Sequence, residues 1–146
     1  MNATRAVVAG VLGTAAMTVL LLVEPSVGLP KIAIGQILST ALGLAPAYLS
    51  IGAAVGWGID FLAGIGFALL YAGLFERRLP GGPFVRGMIY GLLVFILAQI
   101  AFMPLVGGGF FSRGDIELLV GSLLGHLVYG GLVGWLYGLQ GSAAGR

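Results

Sequence analysis

The chain contains no cysteine and carries little charge. The absence of cysteine excludes disulfides, thiolate metal sites, iron–sulfur clusters and covalently attached c-type haem. Only 7 basic and 5 acidic residues occur among 146, and the basic ones flank apolar stretches without forming a patch that could track phosphates. We therefore expect no nucleic-acid partner.

Apolar side chains and glycine are abundant instead. The sequence is 59% hydrophobic, and its mean hydropathy of +1.09 lies far from that of a soluble domain. Its 27 glycines exceed the usual frequency of about 7%. Because lipid gives helices no hydrophobic reason to associate, small residues that allow close approach are favoured where they pack. The composition predicts membrane helices packed through glycine.

Four apolar stretches are long enough to cross a membrane, which takes about 20 residues. They predict an all-α fold, a four-helix transmembrane bundle forming one domain over 1–146. Glu24-Pro25 follows the first stretch without a small-residue cleavage site, so we interpret that stretch as a retained helix and not as a signal peptide. The predicted spans are 5–23, 51–75, 86–105 and 116–139.

The distribution of basic residues predicts the orientation, because short cytoplasmic loops carry an excess of Lys and Arg. More of them fall on the side that holds both termini, so we expect the N-terminus and the C-terminus to be cytoplasmic. The residues on that side are Arg5, Arg77, Arg78, Arg86 and Arg146, against Lys31 and Arg113 on the other.

A segment at about 31–45, bounded by Pro30 and Pro46, separates the first two spans. It is too short to cross a membrane. Gln36, Ser39 and Thr40 have the spacing of one helical face, with apolar residues opposite. We expect a short helix in the outer interface, which either caps the bundle or serves as a gate or a docking element for a partner.

The two halves of the chain resemble each other once that segment is set aside. Each half begins on the same side of the membrane, so the pattern predicts a parallel internal repeat that relates helices 1 and 2 to helices 3 and 4. The matching motifs are Asp60-x3-Gly64-x6-Tyr71 with His126-x3-Gly130-x6-Tyr137, and Arg5-x4-Gly10 with Arg86-x4-Gly91.

Two ionisable residues lie deep within predicted spans, Asp60 in the second and His126 in the fourth. Positions four residues apart share a helix face, and both residues fall on faces of small residues that should bury against other helices. The glycines expected at these packing faces are Gly52, Gly56 and Gly64 in the second span, Gly87 and Gly91 in the third, and Gly130, Gly134 and Gly138 in the fourth.

These two residues also define a candidate site. At a rise of about 1.5 Å per residue, Thr18 and Gln99 come to a similar depth, so we expect Asp60, His126, Thr18 and Gln99 to form one intramembrane polar layer. An ionisable side chain in the bilayer core is costly unless it is paired or hydrated, and it is therefore a functional-site hypothesis.

Three interpretations of this layer stay open. Asp60 and His126 could form a structural hydrogen-bonded pair, or they could handle protons or ions. Alternatively His126, oriented by Asp60 and with Met17 or Met103 as soft neighbours, would suit copper or a haem iron. With neither a second His nor a Cys, we expect no metal and no cofactor. No catalytic residue is identified, since no serine has an activating context, and we lean against an enzyme.

The chain also resembles a family of small, uncharacterised prokaryotic four-helix integral membrane proteins classed as a domain of unknown function. The resemblance implies a bundle of this size in the plasma membrane, and it transfers no catalytic residue. The segments that carry it are Gly10-x2-Gly13-Thr14-Ala15-Ala16-Met17-Thr18, Phe102-Met103-Pro104 followed by Gly107-Gly108-Gly109, and Gly125-His126-x2-Tyr129-Gly130.

These observations predict a small polytopic membrane protein. We expect it to be an accessory or interaction subunit in a homo-oligomer or a larger membrane assembly, with its glycine faces making the contacts. The alternative is a proton- or ion-coupled transporter element that uses Asp60 and His126.

Overall fold

The computed structural model describes residues 1–30, 32, 37, 38, 42, 43 and 49–143, and these residues contain helices and turns without a strand. The long helices are α1 (Ala3–Val23), α2 (Leu49–Leu70), α3 (Pro83–Leu97) and α4 (Ile116–Ala143). Shorter elements are a 3₁₀ turn at Glu24–Val27, π-helical turns at Tyr71–Phe75 and Ala98–Phe102, a helical turn at Met103–Leu105, and a tight turn at Phe110–Gly114.

Four helices are long and apolar enough to cross a membrane, with mean hydropathy between 1.6 and 2.4. This confirms the predicted all-α fold with four such helices. The spanning ranges are Ala3–Val27, Ala54–Phe75, Pro83–Leu105 and Ile116–Gly138. The predicted interfacial helix stays a prediction, because most of 31–45 lies outside the described residues, as do Lys31 and Arg146.

The helices begin where local chemistry favours a start. The Asn2 side chain accepts a hydrogen bond from the Arg5 backbone N–H at 3.1 Å, and Asp115 does the same for Leu118 at 3.1 Å. Both are N-cap bonds that satisfy donors left free in the first turn. Helix α3 begins with Pro83, whose fixed φ suits the first helical position.

The π-helical turn Ala98–Phe102 continues α3, which we take from here on to run to Leu105, and it has a local cause in Pro104. A proline inside a helix lacks an N–H and crowds the carbonyl four residues earlier, which here is that of Ile100. Ile100 lies within the π-helical turn Ala98–Phe102, and the helix continues beyond it as Met103–Leu105. The wider turn lets the helix pass the proline.

The helices form an antiparallel ring. Helix α1 packs against α2 and α4, and α3 shares the largest interface with α4. Helix α2 meets α3 chiefly through Tyr71–Phe75. We call the end with Asn2, Phe75 and Pro83 the terminal end, and the end with Glu24 and Ile116 the distal end. The ring is therefore better closed between α2 and α3 at the terminal end than at the distal end.

Glycines of α3 and α4 face each other directly. A Cβ added at Gly130 would lie 2.6 Å from the Gly91 Cα, and one at Gly134 would lie 2.6 Å from the Gly87 Cα. Backbone atoms cannot give way as a flexible side chain can. These two helix faces therefore meet inside the bundle.

The other predicted packing glycines have different surroundings. Gly64 lies beside α1, where a Cβ at Gly10 would be 2.9 Å from the Gly64 carbonyl oxygen. Gly138 faces the Pro83 ring, and Gly56 is buried. The surroundings of Gly52 lie outside the described residues.

The two helix pairs make contacts at matching positions of the predicted repeat. Gly10 approaches Gly64 between α1 and α2, as Gly91 approaches Gly130 between α3 and α4. The matching Tyr71 ring also meets Tyr137 edge-on, with centroids 6.3 Å apart. These contacts are consistent with an internal repeat, which stays a prediction.

Tyrosines fill the terminal half of the ring. Tyr71 is fully buried and packs on Tyr90 with ring centroids 5.2 Å apart. The Tyr90 hydroxyl donates to the Phe67 carbonyl at 2.7 Å, and the Tyr129 hydroxyl donates to the Gly64 carbonyl. The Tyr90 and Tyr129 hydroxyls thus each have a backbone acceptor, whereas the buried Tyr71 hydroxyl has no partner among the described residues.

Candidate functional site

A cavity of about 580 Å³ lies in the distal half, between α2 and α3 and in front of α4. It is partly open to the surface. Its walls are mostly aliphatic and aromatic, with polar groups contributed by Asp60, Gln99, Ser112, Ser122 and His126. The apolar lining includes Met17, Leu21, Ile59, Ala63, Phe67, Val94, Leu97, Ala98, Phe102, Met103 and Leu118.

Asp60 contributes the carboxylate of the cavity from α2. Its Oδ2 atom is buried and has no hydrogen-bond partner among the residues that the structure describes. A buried carboxylate oxygen is normally paired, because leaving it unpaired costs several kcal/mol. Asp60 therefore has a buried carboxylate oxygen whose hydrogen-bonding capacity the described part of the chain does not satisfy.

His126 lines the same cavity from α4. Its Nδ1 atom lies 2.7 Å from the Ser122 carbonyl oxygen, one turn earlier in the helix. A carbonyl only accepts, so Nδ1 carries the proton, and in the neutral imidazole Nε2 is left as an acceptor. The edge of the ring is also fixed against Phe95, with centroids 5.8 Å apart.

The structure brings Asp60 and His126 to one cavity without a hydrogen bond between them. Within the described ranges, the recorded partner of His126 is its own helix backbone, and Asp60 has none for Oδ2. The hydrogen-bonded Asp–His pair considered from the sequence is therefore not formed here. Both side chains nevertheless line the same cavity.

Gln99 forms hydrogen bonds that connect the π-helical turn with α4 and with the tight turn at Ser112. Its side chain is fully buried within the π-helical turn of α3. The amide Nε2 donates to Ser122 Oγ on α4 at 3.2 Å, and Oε1 accepts from Ser112 Oγ at 3.0 Å. Gln99 thus belongs to the polar group of the cavity, and the protein already engages its carbonyl oxygen and one of its two N–H groups.

Ser112 reaches Gln99 through an unusual backbone. Phe111, Ser112 and Arg113 have φ values of 45°, 50° and 56°, which form a left-handed turn of three residues that are not glycine. Each such residue costs roughly 1–2 kcal/mol relative to a right-handed conformation. The Arg113 guanidinium supports the turn by donating to the Gly107 carbonyl at 3.0 Å. The strained residues therefore lie where the chain positions the Ser112 hydroxyl to donate to Gln99.

Thr18 does not join this group. Its hydroxyl oxygen is buried with no partner in the described part of the chain, and Thr18 is absent from the cavity lining. Of the four residues expected in one polar layer, Asp60, Gln99 and His126 share the cavity, while Thr18 lies elsewhere on α1. A depth estimate fixes height along the helix but not the direction in which a side chain points.

The residues considered for copper or haem also line the cavity. Met17 and Met103 flank the space that His126 lines. Over the described residues, no three His, Cys, Asp or Glu side chains are grouped so that they could hold a metal ion. Two thioethers and one imidazole form a weak donor set, because closed metal sites draw on more strong ligands.

Glu24 is a buried polar residue that the sequence pattern did not single out. It is only 1% exposed at the distal end of α1, and both carboxylate oxygens lack a partner among the described residues. A Cβ at Gly121 would lie 2.7 Å from Glu24 Oε2, so the missing side chain on α4 leaves room for the carboxylate. A glycine that lies opposite an acidic residue in space leaves no signal in one sequence.

The fold and the site define an all-helical protein with four helices long and apolar enough to cross a membrane and a cavity between two of them. The chain belongs to a family of unknown function (DUF6789), whose family model matches residues 1–145. Comparisons with curated proteins and with solved structures gave no match.

Proposed function

We propose that the protein is an integral membrane protein of the prokaryotic plasma membrane, with both termini cytoplasmic. The terminal end carries Arg5, Arg77, Arg78 and Arg86, as cytoplasmic ends do. The distal end carries the acidic Glu24, Asp115 and Glu117 beside Arg113. In this orientation the cavity lies in the outer half of the bilayer, and lipid surrounds the exposed apolar side chains.

We further propose that the protein binds a small amphipathic molecule in the cavity between α2 and α3. The observation that carries this proposal is an apolar space of about 580 Å³ with Asp60 and His126 in its wall. Small-molecule sites typically measure about 300–1,000 Å³ and combine apolar walls with a few convergent polar groups. The cavity has that size and that composition.

The volume also argues against a partner helix as the occupant. A helix with its side chains is about 10–12 Å wide, and a membrane-spanning one is about 30 Å long, so it needs several times this space. The glycines expected to recruit a partner, such as Gly87 and Gly134, are already in contact within the bundle. A small molecule therefore fits the cavity better than a transmembrane segment does.

Native mass spectrometry on protein extracted gently from its own membranes tests this proposal. We expect the wild-type protein to retain a small molecule. Ala63→Phe should lose it, because Ala63 lines the cavity and a phenyl group there would fill part of it. Ala54→Phe is the matched control, since Ala54 is exposed on the same helix outside the lining. Equal retention in both variants would contradict the proposal.

The same spectrum reports partner chains and copy number. An accessory role in a larger membrane assembly, or in a homo-oligomer, would appear as additional polypeptide mass. The exposed apolar face of α1, with Val19 at 60% and Leu22 at 62% exposure, is available to lipid or to such a subunit. A subunit role is compatible with a bound small molecule, since the two would use different surfaces.

Proton- or ion-coupled transport is the second candidate function. It is favoured by the presence of Asp60 and His126 in one cavity, since a carboxylate and an imidazole within apolar helices are suited to proton transfer. Reconstituted vesicles that contain a pH-sensitive dye would test it. Transport predicts proton flux that Asp60→Asn abolishes while the protein still folds, whereas equal flux with and without protein excludes it.

A further inference from the structure

We propose that the molecule bound in this cavity carries a protonated amine on an apolar body, with the ammonium group held by Asp60 and His126. This inference rests on the proposed function and specifies the ligand class. It follows from three features of the lining, namely which polar atoms are free, what charge they carry and what surrounds them.

Two groups in the cavity wall have acceptor capacity that the described residues do not use, the Asp60 carboxylate and Nε2 of His126. His126 uses Nδ1 on the Ser122 carbonyl, so Nε2 is left to accept. Asp60 Oδ2 has no partner in the described residues, and a carboxylate only accepts when ionised. Gln99 donates one N–H to Ser122 and accepts from Ser112, which leaves its second N–H and the Ser122 hydroxyl hydrogen as neutral donors. A ligand group that complements the carboxylate and the imidazole must donate hydrogen bonds, and an ammonium group has several donors.

The charge of the lining leads to the same ligand class. Asp60 is the single acidic residue among the described residues of the wall, and no Lys or Arg is among them. An ionised carboxylate without a counter-charge is costly in apolar surroundings, and a cation at hydrogen-bonding distance offsets that cost. A neutral ligand leaves the carboxylate without a counter-charge, and an anionic one adds repulsion.

The rest of the cavity wall is apolar and suits the apolar body of the proposed ligand. Ala63, Phe67, Val94 and Leu97 extend from the polar groups along α2 and α3, and Met17 and Met103 complete the lining. Methionine side chains are flexible and polarisable, so they adapt to differently shaped apolar groups. The cavity therefore accepts a compact hydrocarbon group more readily than a polar one.

Three probes of one shape test the ligand class, 1-aminoadamantane, 1-adamantanol and 1-adamantanecarboxylate. Each is titrated calorimetrically at neutral pH into the protein in phosphatidylcholine nanodiscs, with empty nanodiscs subtracted. We expect the amine to bind at least about tenfold more tightly than the alcohol, and the carboxylate to bind most weakly. Because the hydrocarbon cage is shared, the differences report the polar group alone.

Variants of the polar residues test which side chain causes the preference for amine over alcohol. Asp60→Asn should reduce the preference for amine over alcohol to about twofold or less, whereas Asp60→Glu should retain it because the charge remains. His126→Phe keeps an aromatic ring but removes the acceptor, and should weaken amine binding about fivefold. Lys31→Gln should leave the preference unchanged, because both Asp60 and His126 remain.

The outcomes separate this inference from the proposed function. Equal binding of amine and alcohol, with both lost in Ala63→Phe, overturns the inference about charge but leaves the cavity as a binding site. A preference for amine that appears only in Lys31→Gln also overturns it, since the chain would then supply its own cation. If none of the probes binds and the native protein retains no small molecule, the proposed function itself fails.

Discussion

The two halves of the bundle are built differently although the same helices run through both. In the terminal half, α3 and α4 meet glycine on glycine at Gly87, Gly91, Gly130 and Gly134. In the distal half, Gln99 bridges the two helices through hydrogen bonds, and α2 stands off far enough to leave the cavity. Glycine contacts join α3 to α4 in the terminal half, and a polar bridge joins them in the distal half, beside the opening between α2 and α3.

The change occurs along a single face of α3. At intervals of four residues this face contains Gly87 and Gly91, and then Phe95, Gln99 and Met103. The glycines allow backbone contact with α4, while Phe95 packs on His126 and Gln99 reaches Ser122. We infer that side-chain size along this face determines where the bundle is closed and where it holds a site.

The largest loss of stability is expected when the glycine contact between α3 and α4 in the terminal half is disrupted. Gly130→Leu places a branched side chain against the Gly87 and Gly91 backbone, which cannot move aside without separating the helices. Overpacking of this kind should cost about 3 kcal/mol or more, and folded protein should be lost. Size-exclusion profiles and thermal unfolding in detergent would measure the loss.

Gly66→Leu is the control for that change. No atom lies within 4 Å of a Cβ at Gly66, so a leucine there meets open space. We expect unfolding to stay close to that of the wild type. If both variants unfold alike, the glycines act through chain flexibility and not through close contact.

A smaller loss is expected in the distal half. Gln99→Leu keeps most of the side-chain volume but leaves the Ser112 and Ser122 hydroxyls without this partner. Each hydroxyl that loses its bond should cost roughly 1–3 kcal/mol, so thermal unfolding should move to lower temperature. The double variant Ser112→Ala, Gln99→Leu should recover part of the loss, because it removes one of the two hydroxyls that would otherwise lack a partner. An additive loss would argue against the bridge.

Asp60→Asn should act in the opposite direction on the ligand-free protein. It replaces a carboxylate that lacks a partner for Oδ2 with a neutral amide, whose burial costs less. We expect a gain of about 1 kcal/mol in the free energy of unfolding, measured by thermal unfolding after the ligand is removed. Asp115→Asn serves as the control and should be nearly neutral, because asparagine also caps a helix. Destabilisation by Asp60→Asn would mean that the carboxylate has a partner within the folded chain.

The smallest effect concerns the left-handed turn. Phe111 is exposed and has a φ of 45°, and asparagine tolerates that conformation better than phenylalanine does. Phe111→Asn should therefore raise stability by about 0.5–1 kcal/mol. Phe110→Asn, one residue earlier and outside the left-handed turn, should give no comparable gain. A loss of stability in the Phe111 variant would indicate that its ring makes a contact that outweighs the strain.

The sequence predicts the helices well because apolar length alone identifies a segment that can span a membrane. It also identifies Asp60, Gln99 and His126 as interior residues, since each lies on a face of residues spaced four apart. It does not predict that Thr18 lies away from the cavity, because depth along a helix says nothing of rotation about its axis. Nor does it predict the arrangement of acceptors, which depends on the Ser122 carbonyl binding Nδ1 of His126.

The backbone conformation around Ser112 also could not be predicted from the sequence. Left-handed conformations are expected at glycine, asparagine or aspartate, and Phe111-Ser112-Arg113 contains none of these. The turn depends on the Arg113 and Ser112 hydrogen bonds, one of them to a residue on α3. Tertiary contacts thus override local preference there. Similarly, only the folded chain places Gly121 opposite Glu24.

A crystal structure of the protein purified from its own membranes, without delipidation, would show whether the cavity holds a ligand. We expect compact electron density between α2 and α3 that does not belong to the chain and ends within hydrogen-bonding distance of Asp60. A cavity filled by the protein's own side chains, or an α2 packed directly on α3 along its whole length, would contradict it.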